Sequence, residues 1–287
     1  MTEIGTGSIV HSIAIPGSDE LLTLSWAAVT DVGRRRAANE DSYLARSPGF
    51  VVADGMGGHS AGDLASAAVV ERLAEALTGD FSTVVDLERA LASATDDITI
   101  IADGSALGVG TTATGAVLVL RDGNPYFAVF NIGDSRVYSF EGNELTQVTI
   151  DHSVVQELVE SGALSKEDAE FHPDSNVITR AVGFGVAPLA DYWMIPVRAG
   201  LRILVCSDGL TKEINDERIR LHLAAGLSSE ETAGALVDAA LAAGGRDNVT
   251  VVIVDVIAAP TATAGDSGDS DDGYDIEDTA PRPPRAL

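Results

Sequence analysis

Apolar residues along this chain fall into short runs punctuated by Gly, Asp and Asn, the rhythm of strands joined by tight turns. Leu22 to Val29 reads as one strand, and Phe50 to Ala53 as a short buried one that stops at Asp54-Gly55. Ala116 to Leu120 and Tyr126 to Ile132 flank Asp122-Gly123-Asn124, a hairpin signal. Val137 to Phe140 and Leu145 to Thr149 flank a second, Glu141-Gly142-Asn143. Tyr192 to Val197, Ile203 to Cys206 and Val249 to Ile257 complete the set. Successive hairpins predict antiparallel pairing.

Helical periods interrupt the strands in separate blocks. Ser60 is placed to cap a helix running to about Leu77, with Asp63 as the acid of a capping box and Leu64, Ala67, Ala68, Leu73 and Leu77 near one face. Asp86 to about Ala102 repeats the period through Leu87, Leu91, Ala94, Ile98 and Ile101. Two more helices are predicted near Asp216 to Ala225 and Ser229 to Ala243. This arrangement predicts an α+β domain with layered packing. Residues 1–20, mixed and Gly/Ser-containing, read as a poorly tied arm, 21–257 as the folded unit, and 258–287 as a disordered acidic tail.

Composition narrows the functional classes. Of 287 residues, 45% are hydrophobic, enough for a sizeable core, and the formal net charge is -26. Such a surface repels nucleic acid and anionic membranes, and it makes the basic cluster Arg34, Arg35 and Arg36 conspicuous. The single cysteine, Cys206, lies in an apolar run and has no internal disulfide partner. No stretch matches a signal peptide or a bilayer span, so the expectation is a soluble, cytoplasmic monomer.

The chemistry lies in where the aspartates fall. Apolar runs lead into Asp54, Asp134 and Asp208, Asp247 stands just before the last strand, and Asp41 adds a fifth near the start. Any one of these reads equally well as a turn residue. Five of them, most with Gly alongside, could meet at one edge of a sheet. Hard oxygen ligands without clustered His or Cys suit Mg²⁺ or Mn²⁺ and not zinc.

The segments Arg36-Ala37-Ala38-Asn39-Glu40-Asp41-Ser42, Ala53-Asp54-Gly55-Met56-Gly57-Gly58-His59, Gly110-Thr111-Thr112, Asn131-Ile132-Gly133-Asp134-Ser135-Arg136, Ser207-Asp208-Gly209-Leu210 and Arg246-Asp247-Asn248-Val249-Thr250 resemble, in order and spacing, the motifs of the type 2C metal-dependent Ser/Thr protein phosphatases (PPM family) in their bacterial form. The resemblance spans about Leu22 to Ile257, which would make 21–257 the catalytic domain. It implies a four-layer α-β-β-α sandwich with two central antiparallel sheets and a metal cleft at one end. It implies that Asp54 bridges two metals, that the Gly55 carbonyl binds the second, and that Asp208 and Asp247 bind the first. Glu40 and Asp41 would hold metal-bound waters, Asp134 would help Asp208 hold a weaker third metal, and Arg36 would grip the substrate phosphate. Phosphorylated proteins and bacterial-type Ser/Thr kinases would be the partners. Independently of the family, a water between two divalent ions loses a proton near neutral pH and becomes a nucleophile, so neither Ser nor Cys is required as one. An Arg fork matches phosphate oxygens in a bidentate way.

Some positions depart from this pattern or carry weaker signals. Met56 stands where eukaryotic relatives place a His, and it cannot donate a proton. His59 is the alternative general acid, against a capping or packing role, with a metal-bound water as a third option. His152 and His172 read as surface residues. Residues 151–176 match the family's mobile flap, read either as a solvated segment or as a substrate-selecting lid, with Ser153 and Ser165 as helix starts and Arg180 unassigned. Gly108-Val109-Gly110 lacks the third Gly of a nucleotide loop. Thr111 and Thr112 are expected to line the core near the metals. An active phosphoprotein phosphatase, a partner-binding pseudophosphatase and a hydrolase of small phosphoesters all fit the fold; the intact Asp54, Asp208 and Asp247 favour an enzyme.

Overall fold

The computed structural model describes residues 1–57, 61–102, 108–169, 172–184 and 189–260. His59, Ser60 and the acidic segment from 261 onward lie outside the described residues. The elements run β1 (Glu3–Ile4), β2 (Ser8–Ala14), β3 (Leu21–Asp31), β4 (Asp41–Arg46), β5 (Gly49–Met56), α1 (Ala61–Ala76), α2 (Val84–Ala102), β6 (Gly110–Thr111), β7 (Ala113–Arg121), β8 (Asn124–Ile132), β9 (Arg136–Glu141) and β10 (Glu144–Gln147). They continue through α3 (Val154–Glu160), α4 (Lys166–Ala169), β11 (Asp191–Pro196), β12 (Arg202–Cys206), α5 (Asp208–Thr211), α6 (Asp216–Leu223), α7 (Ser229–Ala243) and β13 (Val249–Ala258).

Two sheets result, ordered β1-β4-β5-β7-β8-β11, with β6 on β5, and β10-β9-β12-β13-β3-β2. Both hairpins form where the turn residues predict them. Asp122 and Gly123 take φ of 52° and 77°, and Gly142 and Asn143 take 58° and 69°, the left-handed pairs that match the strand twist. Pairing is antiparallel except where the short β1 runs parallel to β4. The inner faces of the sheets share one apolar core, in which Trp26, Phe50 and Phe127 stack edge to face at 5.4 and 6.5 Å. Each fully buried ring of this kind stabilises the fold by roughly 1.5–3 kcal/mol. On the outside, α1 and α2 cover the first sheet, and α5, α6 and α7 cover the second. The molecule is thus the expected four-layer α-β-β-α sandwich. Ser228 and Glu231 close a reciprocal capping box at the start of α7.

Three expectations need correction. The first twenty residues are not a loose arm. β2 pairs with β3, burying Ile13 and Ile15, while Thr2 N donates to Ser42 Oγ and Trp26 Nε1 to the Thr6 carbonyl. Few of the apolar residues of β2 are buried, Ile9 and Val10 being exposed, because it is an edge strand. In α1 the buried face is Ala65, Ala68, Val69 and Leu73, while Leu64 points to solvent. The chain between Glu40 and Arg46 is also a strand, β4, and β5 runs through Asp54 to Met56 instead of stopping before it.

Candidate active site

Strand register brings the aspartates together. Asp41 and Asp54 are direct partners across β4 and β5. In the second sheet, Cys206 at the end of β12 faces Arg136 at the start of β9 and Val251 near the start of β13. The residues just beyond those strand ends, Asp134, Asp208 and Asp247, therefore gather at the same end. Two hydroxyls stitch the sheets there: Ser207 Oγ and Thr250 Oγ1 donate to Asp41 Oδ2 at 2.8 and 2.6 Å.

The backbone around Asp54 is clamped. Its N–H donates to Thr112 Oγ1, and its carbonyl accepts from Thr112 N and Thr111 Oγ1, all at 2.9 Å. Gly55 N–H donates to the Glu40 carbonyl at 3.2 Å. A Cβ on Gly55 would lie 2.1 Å from the Gly62 carbonyl oxygen, so only glycine lets α1 approach this turn. Opposite, Asn248 organises the loop before β4. Its Nδ2 donates to the carbonyls of Val32 and Ala38, and its Oδ1 accepts from Glu40 N, each at 2.9 Å. Ser207, Asn248 and Thr250 belong to the motifs, but their sequence positions alone do not reveal these roles.

Charge is crowded here. Asp41 is fully buried, and Asp134 and Asp208 are 9% and 8% exposed. Burial pushes the Asp41 carboxyl up to about 7, against two hydroxyl donors and reinforced by Asp208 and Asp247. Asp134 is raised to about 7, first by burial and then by Asp208. Asp54 is held well above the usual carboxylate range by burial and by the charges of Asp41, Asp208, Asp134 and Asp247. Burial also raises Glu40, against the pull of Arg36. Among the described residues, two side-chain cations face this cluster. Arg36 Nη2 lies 2.8 Å from Asp247 Oδ2, a hydrogen bond that raises its own affinity for its proton. Lys212 pairs with Asp208 Oδ2; burial opposes its charge, but Asp208, Asp134 and Asp54 together raise its pKa.

The residues fit hard divalent cations. All donors are oxygens, and Asp41 Oδ1 and Asp208 Oδ1 are buried acceptors with no hydrogen-bond partner. Among the described residues no three carboxylates are already closed around one point; Asp208 is paired with Lys212 and Asp247 with Arg36.

Residues 34–243 match the family model described as Protein phosphatase 2C. The chain belongs to the protein phosphatase 2C family. It is 39% identical over 241 residues to the serine/threonine protein phosphatase PstP of Mycobacterium tuberculosis, with 82% of this chain and 46% of PstP covered. The chain thus spans about half the length of that curated relative. It is 35% identical over 239 residues to the serine/threonine phosphatase stp of Listeria welshimeri, covering 79% of this chain and 93% of stp. The solved catalytic domain of PstP in complex with two manganese ions superposes with a TM-score of 0.73 at 38% identity, covering 82% of this chain and 99% of that one.

Other sequence readings can now be placed. Arg36, Glu40, Asp41, Asp54, Gly55, Asp134, Asp208 and Asp247 all lie at this end of the sandwich. Thr111 and Thr112 are buried against Asp54, as expected. Cys206 is buried in the strand, and burial pushes its thiol up to about 12, which keeps it out of thiolate chemistry. His152 is not a surface residue. It is 7% exposed, its Nδ1 accepts from Gly133 N at 3.0 Å, and its Nε2 faces Asp191 Oδ2 at 3.1 Å. Asp191 also takes Arg180 Nη1 at 2.8 Å, which gives Arg180 its place. The turn carrying Asp134 is thereby fastened to the root of segment 151–176, where Ser153 caps α3 as predicted. A cavity of about 560 Å³ lined by Phe140, Arg202, Leu223 and Asp255 lies at the opposite end of β12 and β13, with Arg202 committed to Asp255.

Proposed function

We propose that this chain is a metal-dependent phosphatase that hydrolyses phosphoserine and phosphothreonine in proteins, opposing Ser/Thr kinases in the cytoplasm. The observation that carries this reading is the gathering of five aspartates from both sheets at one end of the sandwich, two of them with a buried, unpartnered carboxylate oxygen, with Arg36 beside them. Asp54, the Gly55 carbonyl, Asp208 and Asp247 would hold two Mn²⁺ or Mg²⁺ ions, the number bound in PstP. When bound, the pair supplies acidification of water and neutralisation of phosphate oxygens.

This chain's own residues do the rest. Arg36 turns its guanidinium from Asp247 to the phosphate oxygens, orienting the phosphoryl group for in-line attack. Asp41 and Glu40 are acceptors for attacking and solvating water, the Asp41 carboxylate held by Ser207 and Thr250 and the Glu40 backbone by Asn248. The clamp on Asp54 from Thr111 and Thr112 keeps the central carboxylate from relaxing as charge moves. The leaving serine or threonine oxygen needs a proton, and His59 or a water supplies it. The segment after Asp151, tied to the Asp134 turn through His152, would contact the peptide flanking the phosphorylated residue.

The test compares kcat/KM of the purified chain on a phosphothreonine peptide and on nucleotides. Preference for the peptide supports the reading; exclusive turnover of nucleotides overturns it in favour of a small-phosphoester hydrolase, and no turnover of either favours a binding protein.

A further inference from the structure

Lys212 has no role in the scheme above, yet its ammonium pairs with Asp208, one of the clustered carboxylates. Its root is fixed. The Lys212 N–H donates to the Asp208 carbonyl at 2.8 Å, one turn back, and the Lys212 carbonyl accepts from Arg246 Nη2 at 2.9 Å. Arg246 is tied in turn to Glu213, whose side chain is 2% exposed, and Ile214 is buried behind it. From that root the side chain reaches Asp208 Oδ2, and its charge acts on Asp134 and Asp54 as well. Asp208 therefore divides its oxygens: Oδ2 is taken by the ammonium, while Oδ1 is buried and without a partner.

By the family resemblance, Asp208 and Asp134 are also the two side chains that would hold a third divalent ion. Such an ion needs several oxygen ligands around it, and a positive charge already paired with Asp208 and acting on Asp134 repels it. The Oδ1 side of Asp208 keeps an oxygen free for the two-metal centre. We propose that the Lys212 ammonium is a built-in cation of this site, standing where a third metal would bind, so that the chain takes two divalent ions and not three. The inference rests on the two-metal reading above and adds what this chain does with the neighbouring carboxylates. A primary ammonium suits the role because it is a compact charge with three donors on a long stem.

The experiment measures Mn²⁺ bound per full-length chain, by equilibrium dialysis with metal analysis, for wild type, Lys212→Met and Lys212→Arg. Wild type and Lys212→Arg are expected to saturate at two ions. Lys212→Met, which keeps the stem and removes the charge, is expected to gain a third, weaker ion, and adding Asp134→Asn should abolish that gain. Three ions in wild type would show that the ammonium yields to metal and would overturn the inference. Two ions in both wild type and Lys212→Met would also overturn it while leaving the two-metal centre intact, whereas no bound ion in any variant sinks both. If Lys212→Met fails to melt cooperatively, Lys212→Gln carries the same comparison.

Discussion

Arg36 should contribute to turnover through a directed contact, and its two neighbours should not. The loop carrying all three arginines is pinned by Asn248, by Arg34 N on the Gly245 carbonyl at 2.6 Å, and by Gly33, where a Cβ would lie 2.1 Å from the Asp247 carbonyl oxygen. On that base Arg36 is aimed at Asp247, Arg34 Nε is spent on the Leu241 carbonyl at 2.8 Å, and Arg35 is exposed. Removing a bidentate, charge-assisted contact to phosphate costs on the order of 1.5–3 kcal/mol, or roughly ten- to a hundredfold in kcat/KM. Arg36→Ala also frees Asp247, but that pair is half-exposed, so the shift in half-saturating Mn²⁺ should stay within about fivefold. Arg35→Ala should stay within about twofold, and the small loss should fade with salt. Arg34→Ala should lower the melting temperature more than it lowers kcat/KM at saturating metal. The assay is phosphothreonine-peptide turnover at saturating Mn²⁺, at low and high ionic strength, with a metal titration alongside. Equal, salt-sensitive losses in all three variants would refute the assignment and reduce the cluster to an electrostatic funnel.

Gly55→Ala should cost about 1–3 kcal/mol of stability and most of the activity, since its Cβ meets the Gly62 and Glu40 carbonyl oxygens at 2.1 and 2.7 Å; an unchanged melting temperature would contradict the close packing. Cys206→Ser should fold with a lowered melting temperature and still turn over substrate; a folded but inactive protein would make the thiol the nucleophile. The metal-free chain should lose stability as pH rises from about 4 to about 7. Asp41 and Asp134 carry folded pKa values above their unfolded value of 3.8, so the native state binds more protons in that window. Thermal melts should show Asp41→Asn flattening that slope, and a slope identical to wild type would contradict the role given to Asp41.

The turns and strand ends were legible because they are local. Asp122-Gly123 and Gly142-Asn143 specify left-handed turns within a few residues, and aspartates after apolar runs announce the end of the sandwich where they meet. What was hidden depends on distant partners. His152 gives no sequence signal because its burial comes from Gly133, Thr179 and Asp191, three segments that only the fold brings together. β2 buries Ile13 but leaves Ile9 and Val10 in solvent, so its seven residues show no clean alternation that would mark a strand until an edge of the second sheet receives them. Lys212 looks like a solvated lysine after Thr211; only the single turn of α5 turns its ammonium back onto Asp208. Leu64 carried the wrong weight in α1 because the face is set by small alanines fitting against β4 and β5.

The central claim is that the five-aspartate centre works by holding divalent metal. The direct measurement is hydrolysis of a phosphothreonine peptide by the purified chain after exhaustive chelation, then after stepwise return of Mn²⁺ or Mg²⁺, with Asp54→Asn and Asp208→Asn in parallel. Activity should vanish with the metal, return with it in the wild type, and fail to return in either variant. Full activity in the chelated protein, or restoration in Asp54→Asn equal to wild type, would contradict the account.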